Sequence, residues 1–528
     1  GKGRIVCATQ DRKLILLDAK AGELIPDFGE NGVVDLATSL GKRINPRTIT
    51  HTSPPGIYKD TIIVGSIVFD RPIIKEGTPG HVRGFDARTG ELKWIFHTVP
   101  MPGEIGHDTW EEGSAAYSGA ANVWSMFAVD EELGYVYLPV GTSTNDFYGG
   151  QRKGDNLFAE SIVCLNAETG ERVWHFQAIH HGLWDYDFPT AGNLADVVVD
   201  GKKIPVIAQV SKQAFAYVLD RRTGKPVWPI EERAVPASTV PGERASETQP
   251  FPTKPLAYDQ QGITVDDLID FTPELRAKAL EAIQNFEIGP LYTPPIVSGE
   301  KRGIIQIPGD GGGTNWPGAA LDPETGILYV PSSTSPGGRA LAAPDPARSN
   351  FNFVAATANS GAPRIEGLKI VKPPWARITA IDLNTGEHVW MTPNGWGPVD
   401  HPALKDLNLG PLGQSSGGPL VTKTLLFVNQ RGGIDEKNSP RINVYDKATG
   451  EWLGHIPLPE SPHGNPITFS VDGRQHIAVA VGGGPYFTGM DHIRLEETTM
   501  SAEQLASMQA RRSRGSTAKA ELIVFRLP

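Results

Sequence analysis

The 528-residue sequence predicts an all-β fold, specifically a β-propeller of four-stranded blades, from three observations. Glycine (59) and proline (44) make up about a fifth of the chain, whereas 39% of its residues are hydrophobic, which is typical of many short strands joined by tight turns. One short phrase recurs along the chain. Long amphipathic helical patterns are nearly lacking from the sequence. A strand-rich sandwich would show no such phrase, so the combination favours radially arranged sheets.

The repeated phrase is an apolar strand, then Asp or Asn, two further residues, Thr-Gly, and a short strand that often ends in Trp. An Asp that hydrogen-bonds its own turn, followed by Gly at positive φ, is typical of a hairpin. We expect the Trp, at its fixed distance from the turn, to lie between neighbouring sheets. The clearest copies are Arg83–Trp94, Val163–Trp174, Tyr217–Trp228 and Thr379–Trp390. Degraded copies occur around Gly22 and Gly450.

Two segments interrupt the strand pattern of what we interpret as a single propeller domain over residues 1–528. A helical insertion is predicted at about 264–287, where Thr272 followed by Pro273 forms a capped helix start. A polar excursion is predicted at about 490–517. The chain opens with a hairpin (RIVCATQ to LILLDA), so we expect an incomplete first blade whose ring is completed by strands from elsewhere.

Composition excludes several classes of function. The net charge of −11 repels a phosphate backbone, so no nucleic-acid partner is expected. No apolar run approaches the roughly 18–20 residues that span a bilayer, and no signal peptide is present, which suggests a mature or truncated product without a transmembrane segment. Cys7 and Cys164 lie in separate strand-like runs without a CxxC motif, which favours two unpaired thiols over a disulfide, zinc or haem site.

The densest polar cluster is HFQAIHHGLWDYDFP, residues His175–Pro189, directly after a repeat strand. If this segment is extended, Asp185 and Asp187 point the same way and repel each other unless a cation or a proton holds them together. The pair therefore suggests a metal site or a general base, with a solvated acidic turn as the alternative. The histidine spacing fits zinc poorly. No phosphate loop or GxSxG elbow appears.

Taken with the repeat, several separated segments closely resemble the pyrroloquinoline quinone (PQQ)-dependent dehydrogenases, particularly the membrane-bound glucose dehydrogenase type. The resemblance covers essentially the whole chain. It implies an eight-bladed propeller that holds PQQ and a divalent cation near its axis, here with a truncated first blade region. The matching segments are His51–Pro55 (HTSPP), Asn122–Gly150, the HHGLWDYDFP stretch, Ser211–Gly224 and Gly289–Pro295.

The resemblance assigns catalytic or cofactor-binding roles to four residues, one of which, Asp185, is also an expected cation ligand. Asp185 in LWDYD resembles the general base, which must reach the substrate hydroxyl before hydride can leave. Lys212 in VSKQ matches the lysine that contacts the quinone oxygens. Trp124 in NVWSM matches the indole that stacks on the planar cofactor, and Thr52 in HTSPP matches a threonine that binds a PQQ carboxylate.

For the cation, the resemblance implies Asp70, Thr142 and Asp185 as ligands and Ca²⁺ or Mg²⁺ as the ion. Asp70 stands at the family's glutamate position, and Thr142 stands where asparagine is usual, with Asp146 close behind. The chain departs from the methanol dehydrogenases in lacking their adjacent cysteine pair. It also has Ser416 where alcohol-oxidising relatives have a tryptophan.

The expected function is PQQ-dependent oxidation of a sugar or polyol hydroxyl. The alternatives are a quinoprotein that oxidises simple alcohols or quinate-type substrates, and a non-catalytic propeller scaffold. The resemblance implies a quinone or cytochrome as electron acceptor and a periplasmic location, with membrane association left open.

Overall fold

Seven antiparallel sheets, named A to G, follow one another along the chain in the computed structural model, which describes residues 3–40, 45–356, 361–432, 436–483 and 519–526. Sheet A contains Arg4–Ala8, Lys13–Asp18 and Val33–Asp35; sheet B contains Gly56–Tyr58, Thr61–Val64, Val82–Asp86 and Leu92–Phe96. Sheet C contains Ala128–Asp130, Tyr135–Pro139, Ser161–Asn166 and Arg172–Gln177; sheet D contains Asn193–Val199, Lys202–Val210 and Ala216–Asp220. Sheet E contains Ala320–Asp322, Ile327–Ser333, Ala376–Asp382 and Glu387–Pro393. Sheet F contains Pro419–Val421, Leu425–Gln430, Arg441–Asp446 and Trp452–Pro457; sheet G contains Pro462–Val471, Arg474–Val481 and Glu521–Arg526.

Smaller strand groups decorate this series of sheets. One is a five-stranded sheet between D and E, formed by Phe286–Glu287, Ile296–Val297, Gly303–Gln306, Gly337–Ala342 and Val354–Ala355. The others are strand pairs: Ile49–Thr50 with Ile67–Val68, Ile230–Ala234 with Thr248–Pro252, and Arg364–Ile365 with Leu368–Lys369.

The sheets are arranged as propeller blades. From B to G, the first strand of each sheet contacts the first strand of the next. The apolar cores lie between adjacent sheets; one of them joins Leu14 and Leu16 of sheet A to Ile62, Val64 and Phe85 of sheet B. The all-β propeller prediction is confirmed. The described residues contain seven blade sheets, whereas the resemblance implied eight.

The repeated phrase forms the joints between neighbouring blades. Asp86 Oδ1 accepts hydrogen bonds from the backbone N–H groups of Arg88 and Thr89, as the hairpin prediction requires. The turn glycine that follows, Gly90, has φ of +75°. The Trp of one sheet lies against the turn glycine of the next: Trp94 on Gly170, Trp174 on Gly224, Trp228 on Gly386 and Trp390 on Gly450. Each joint therefore depends on a glycine without a Cβ.

Pro273–Ile283 is the one α-helix among the residues that the structure describes, and it lies inside the predicted insertion. Thr272 Oγ1 accepts a hydrogen bond from Leu275 N at 3.2 Å. Short 3₁₀ turns occur at Thr38–Leu40, Pro46–Thr48, His107–Thr109, Glu111–Ala116, Val265–Asp267, Lys405–Leu407 and Glu436–Asn438. The predicted polar excursion at 490–517 lies outside the described residues. Cys7 and Cys164 are both free thiols, as predicted. Among the helices of the described residues, none is long and apolar enough to cross a membrane.

Candidate active site

The loop that follows the last strand of sheet C is fixed by its aromatic residues. Trp184 Nε1 donates to the Thr293 carbonyl oxygen at 2.9 Å, and the Tyr186 hydroxyl donates to the Pro308 carbonyl oxygen at 2.6 Å. Both rings are 1% exposed. Asp185 between them has φ of +57°, so the condition of an extended segment, under which the two aspartates would point the same way, is not met. A left-handed residue turns the chain where an extended one would continue it.

Asp185 and Asp187 nevertheless meet at one cation, the Lys212 ammonium. Lys212 follows the second strand of sheet D, and its Nζ donates to Asp185 Oδ1 at 2.8 Å and to Asp187 Oδ2 at 2.7 Å. All three residues are buried, with exposures of 4–8%. Burial alone would lower the pKa of Lys212, but the two carboxylates raise it above its ordinary value. We call these three residues the Lys212 group.

The two carboxylates of the Lys212 group differ in protonation behaviour. For Asp187, burial works against the charged form, yet the Lys212 ammonium and the Thr142 N–H, which donates to Asp187 Oδ1 at 2.6 Å, hold the pKa below its ordinary value. Both Asp187 oxygens therefore have a donor. For Asp185, burial raises the pKa well above its ordinary value, and although Lys212 opposes this, Asp187 and Asp70 add to it. Asp185 is thus the member suited to accept a proton.

Further carboxylates lie around Asp185. Burial raises the pKa of Asp146 well above its ordinary value, and repulsion from Asp70 and Asp185 adds to the rise. The pKa of Asp70 is raised by burial and by Asp187, despite the neighbouring Arg71. Asp146 Oδ2 is buried without a hydrogen-bond partner. This mutual repulsion and the unpartnered oxygen fit a cation that would be bound here through oxygen ligands.

The predicted ligand Thr142 is placed beside these carboxylates. Its hydroxyl donates to Glu160 Oε1 at 3.1 Å, which leaves its oxygen lone pairs free. Burial raises the pKa of Glu160 to about 8, and Asp187 contributes to that rise. Within the described residues, no three His, Cys, Asp or Glu side chains converge as a ready ligand set. A bound cation would therefore also need ligands such as the Thr142 hydroxyl.

The proposed cofactor residues form the adjoining side of the site. Thr52 and Trp124 line one narrow cleft, and Ser53 Oγ donates to the Trp124 carbonyl oxygen at 2.7 Å. The Lys212 ammonium lies 5.8 Å from the centroid of the Trp124 ring. Because an ammonium has three N–H donors and Lys212 uses two on aspartates, one remains for an acceptor on a stacked ligand. The residues therefore fit a planar cofactor that carries oxygen atoms.

Several site residues were missed by the sequence reasoning. Glu160, Asp310 and Arg339 carry no local signal, although Asp310 lies within the glycine-rich stretch GDGGGTNW, residues Gly309–Trp316. Arg71 directly follows Asp70 and could have been found from that position. His51 lines the cleft of Thr52; its ring nitrogens have no partner, and burial lowers its pKa to about 3, so it is neutral.

Comparison with known proteins decides the family. The family model described as "Glucose/ethanol/alcohol dehydrogenase, beta-propeller domain" of the PQQ type matches residues 1–477. The chain belongs to this family. It is 32% identical over 521 residues to the quinoprotein glucose dehydrogenase of Escherichia coli, covering 92% of this chain and 62% of that protein. It is 27% identical over 507 residues to the quinate/shikimate dehydrogenase (quinone) of Acinetobacter baylyi, covering 91% and 61%.

Solved structures support the propeller fold of this PQQ family member. The quinohemoprotein alcohol dehydrogenase from Comamonas testosteroni matches with a TM-score of 0.62 at 22% identity, covering 91% of this chain and 62% of that one. A europium-containing methanol dehydrogenase matches with a TM-score of 0.64 at 22% identity, covering 100% and 80%. The chain spans about three fifths of the length of the first curated relatives. The PQQ prediction is confirmed at the level of the family, whose members use PQQ with a divalent metal such as Ca²⁺.

Proposed function

We propose that the protein oxidises a hydroxyl group of a sugar or polyol with PQQ, and that Asp185 is the general base. The observation that supports this most is the Lys212 group, in which one carboxylate is kept charged and the other has a raised pKa beside Trp124. Buried charges of this kind add little to the stability of a fold, and buried titratable groups with shifted pKa values are typical of functional sites. A scaffold would gain nothing from them.

Trp124 would hold the planar face of the cofactor, and Thr52 would bind one of its carboxylates. Lys212 would donate its third N–H to a quinone oxygen, since positive charge there stabilises the electrons that arrive. When bound, PQQ supplies the two-electron oxidation, which no side chain of the protein can perform.

The protein's own step is the removal of the hydroxyl proton. Asp185 Oδ1 is held by Lys212, so Oδ2 is the atom that would accept the proton. A carboxyl with a raised pKa takes this proton more readily than an ordinary surface aspartate would. The aromatic anchors on Thr293 and Pro308 keep the loop in place while the charge moves.

Asp70, Thr142 and Asp185 would ligate the cation, and the structure adds Asp146 as a candidate. Oxygen ligands favour Ca²⁺ or Mg²⁺ over zinc or copper. Both oxygens of Asp187 are engaged by Lys212 and Thr142, so Asp187 is a poor extra ligand for a trivalent ion. We therefore propose a divalent cation.

The deciding experiment is reconstitution of the protein with PQQ and Ca²⁺, followed by dye reduction with aldoses, polyols, polyol acids such as quinate, and simple alcohols. PQQ-dependent turnover of polyols or sugars supports the proposal. Turnover restricted to simple alcohols would favour the second candidate, and PQQ binding without any turnover would favour a scaffold. A quinone or cytochrome acceptor and a periplasmic location complete the proposal, supported by the bacterial quinoprotein relatives.

A further inference from the structure

A second charged group lies beside the Lys212 group. It contains two cations and one carboxylate, whereas the Lys212 group contains one cation and two carboxylates. Arg71 Nη2 lies 3.4 Å from Asp310 Oδ2, and Arg339 Nη2 binds the same oxygen atom. Both guanidinium groups also lie against the Phe147 ring, with Cζ 5.7 Å from its centroid for Arg71 and 4.8 Å for Arg339. Two cations thus share one carboxylate oxygen above one aromatic ring. We call Arg71 and Arg339, together with their shared carboxylate Asp310, the Arg pair.

The Arg pair is held in place by the surrounding backbone. Arg339 lies on the strand Gly337–Ala342 and is 9% exposed, and its Nη1 donates to the Gly338 carbonyl oxygen at 2.9 Å. Gly309 N donates to the Ser335 carbonyl oxygen at 2.9 Å, which fixes the Asp310 loop against that strand. Phe147 beneath is 2% exposed. The arrangement is preformed, so little ordering would accompany ligand binding.

The Arg pair has unused donors and an open side. The Nε atoms of Arg71 and Arg339 are buried without a hydrogen-bond partner. The side chains of Arg71 and Asp310 are each 37% exposed, so solvent reaches the group. One carboxylate cannot use the donors of two guanidinium groups, each of which has five N–H atoms in a planar fork. Unsatisfied buried donors favour a further acceptor.

The Arg pair lies within electrostatic range of the proposed base. Arg71 interacts with Asp185 as well as with Asp70 and Asp146, and Asp310 interacts with Asp185 and Lys212. Gly313 N also donates to the Lys212 carbonyl oxygen at 2.9 Å, so the loop that carries Asp310 lies against Lys212. A ligand group on the Arg pair would then lie beside the molecule whose hydroxyl faces Asp185, or beside the cofactor.

We propose that Arg71 and Arg339 form an anion subsite for a carboxylate of the substrate, which makes the substrate a polyol acid and not a neutral sugar. This inference rests on the proposed dehydrogenase function and narrows its substrate class. Guanidinium groups bind carboxylates through paired, charge-assisted hydrogen bonds that an uncharged hydroxyl cannot equal. A cofactor carboxylate has the same chemistry, so the experiment must separate the two sources.

The test uses the protein loaded with PQQ and Ca²⁺, with quinate and its uncharged methyl ester as probes. We expect kcat/KM to be about tenfold or more higher for quinate than for the ester. Arg339→Gln and the more exposed Arg71→Gln should each remove this preference by raising the KM for quinate more than the KM for the ester. Arg88→Gln, an exposed arginine that pairs with Asp60 outside the site, is the matched control and should behave like the unaltered protein.

Cofactor affinity and direct probe binding distinguish the other outcomes. PQQ titration by tryptophan fluorescence should give the same Kd for both variants and for the unaltered protein. Weaker PQQ binding with an unchanged quinate preference would show that the Arg pair binds the cofactor and not the substrate, and would overturn the proposal. Calorimetry with quinate on the protein with and without PQQ covers failure of the proposed function. Quinate binding that depends on the two arginines, in a protein that does not bind PQQ, would support the anion subsite and contradict the proposed dehydrogenase function. No quinate binding in either form would overturn the subsite.

Discussion

The Lys212 group and the Arg pair are both three-member ionic clusters beside Trp124 or Phe147, but their charge ratios are reversed. Lys212 serves two carboxylates, whereas Arg71 and Arg339 serve one carboxylate, Asp310. The first cluster is surrounded by further acids and is nearly closed to solvent; the second has unused N–H donors and an open side. One region of the site is thus arranged to attract a cation and hold a proton, and the other to attract an anion.

The largest effect should follow from removing the base of the Lys212 group. Asp185→Asn keeps the size of the side chain but not its basicity, so turnover should fall by about 10²–10⁴-fold. PQQ binding, followed by tryptophan fluorescence, should stay close to normal because Trp124 and Thr52 are unaltered. Near-normal turnover in this variant would remove Asp185 from the mechanism.

Removal of the proposed cation should abolish turnover. After treatment with a chelator, Ca²⁺ or Mg²⁺ should restore dye reduction, and La³⁺ should not be required, because Asp187 is already engaged by Lys212 and Thr142. The measurement is activity against added ion. Activation by La³⁺ alone would contradict this assignment.

The two clusters should differ in how much free energy of unfolding is lost when the residue that the other two members share is replaced. Lys212→Met leaves two buried carboxylates without their cation and should cost about 3–5 kcal/mol in the free energy of unfolding. Asp310→Asn removes the carboxylate from a group open to solvent and should cost about 1 kcal/mol or less. Urea unfolding of both variants tests this contrast. Equal losses would show that the clusters are not different in burial energetics.

The smallest effect concerns pH. Because the pKa of Glu160 is about 8 in the fold and its ordinary value is 4.5, the folded state keeps a proton that the unfolded chain releases as the pH rises between these values. The contribution of Glu160 to stability is therefore complete below pH 4.5 and declines towards pH 8. Glu160→Gln should show a flatter decline in urea midpoint from pH 5 to pH 8.

The matched control for this pH experiment is Glu168→Gln, an exposed residue with a side chain 54% exposed. It should keep the slope of the unaltered protein. If Glu160→Gln keeps that slope too, the proton on Glu160 is not responsible for the pH dependence.

The sequence predicted features that depend on contacts between neighbouring residues, and it did not predict most features that depend on contacts between distant residues. The hairpin turns were predictable because an Asp, a Thr and a Gly within five residues determine each one. Asp185 was indicated locally by its spacing to Asp187, whereas Trp124 and Lys212 were predictable as site residues only through the family resemblance. The bonds between Lys212 and the two aspartates join residues 25 and 27 positions apart. Their roles remain predictions.

The remaining features have no sequence signal. The left-handed backbone of Asp185 depends on where Trp184 and Tyr186 are anchored, more than a hundred residues along the chain. The Arg pair joins residue 71 to residues 310 and 339, and nothing near Arg71 specifies that meeting. Only the packing of the sheets brings these side chains together.

The tryptophan joints between blades have a consequence for mechanical tolerance. The Lys212 group spans one joint, between sheets C and D, where Trp174 lies on Gly224. The Arg pair spans three joints, from sheet B to the segment inserted before and within sheet E, so small displacements at each joint add up across it. A displaced outer hairpin at any of these three joints would therefore be expected to move the members of the Arg pair relative to one another, whereas the Lys212 group depends only on the joint between sheets C and D. The precision with which two side chains are positioned in this propeller therefore falls as the number of blade joints between them rises.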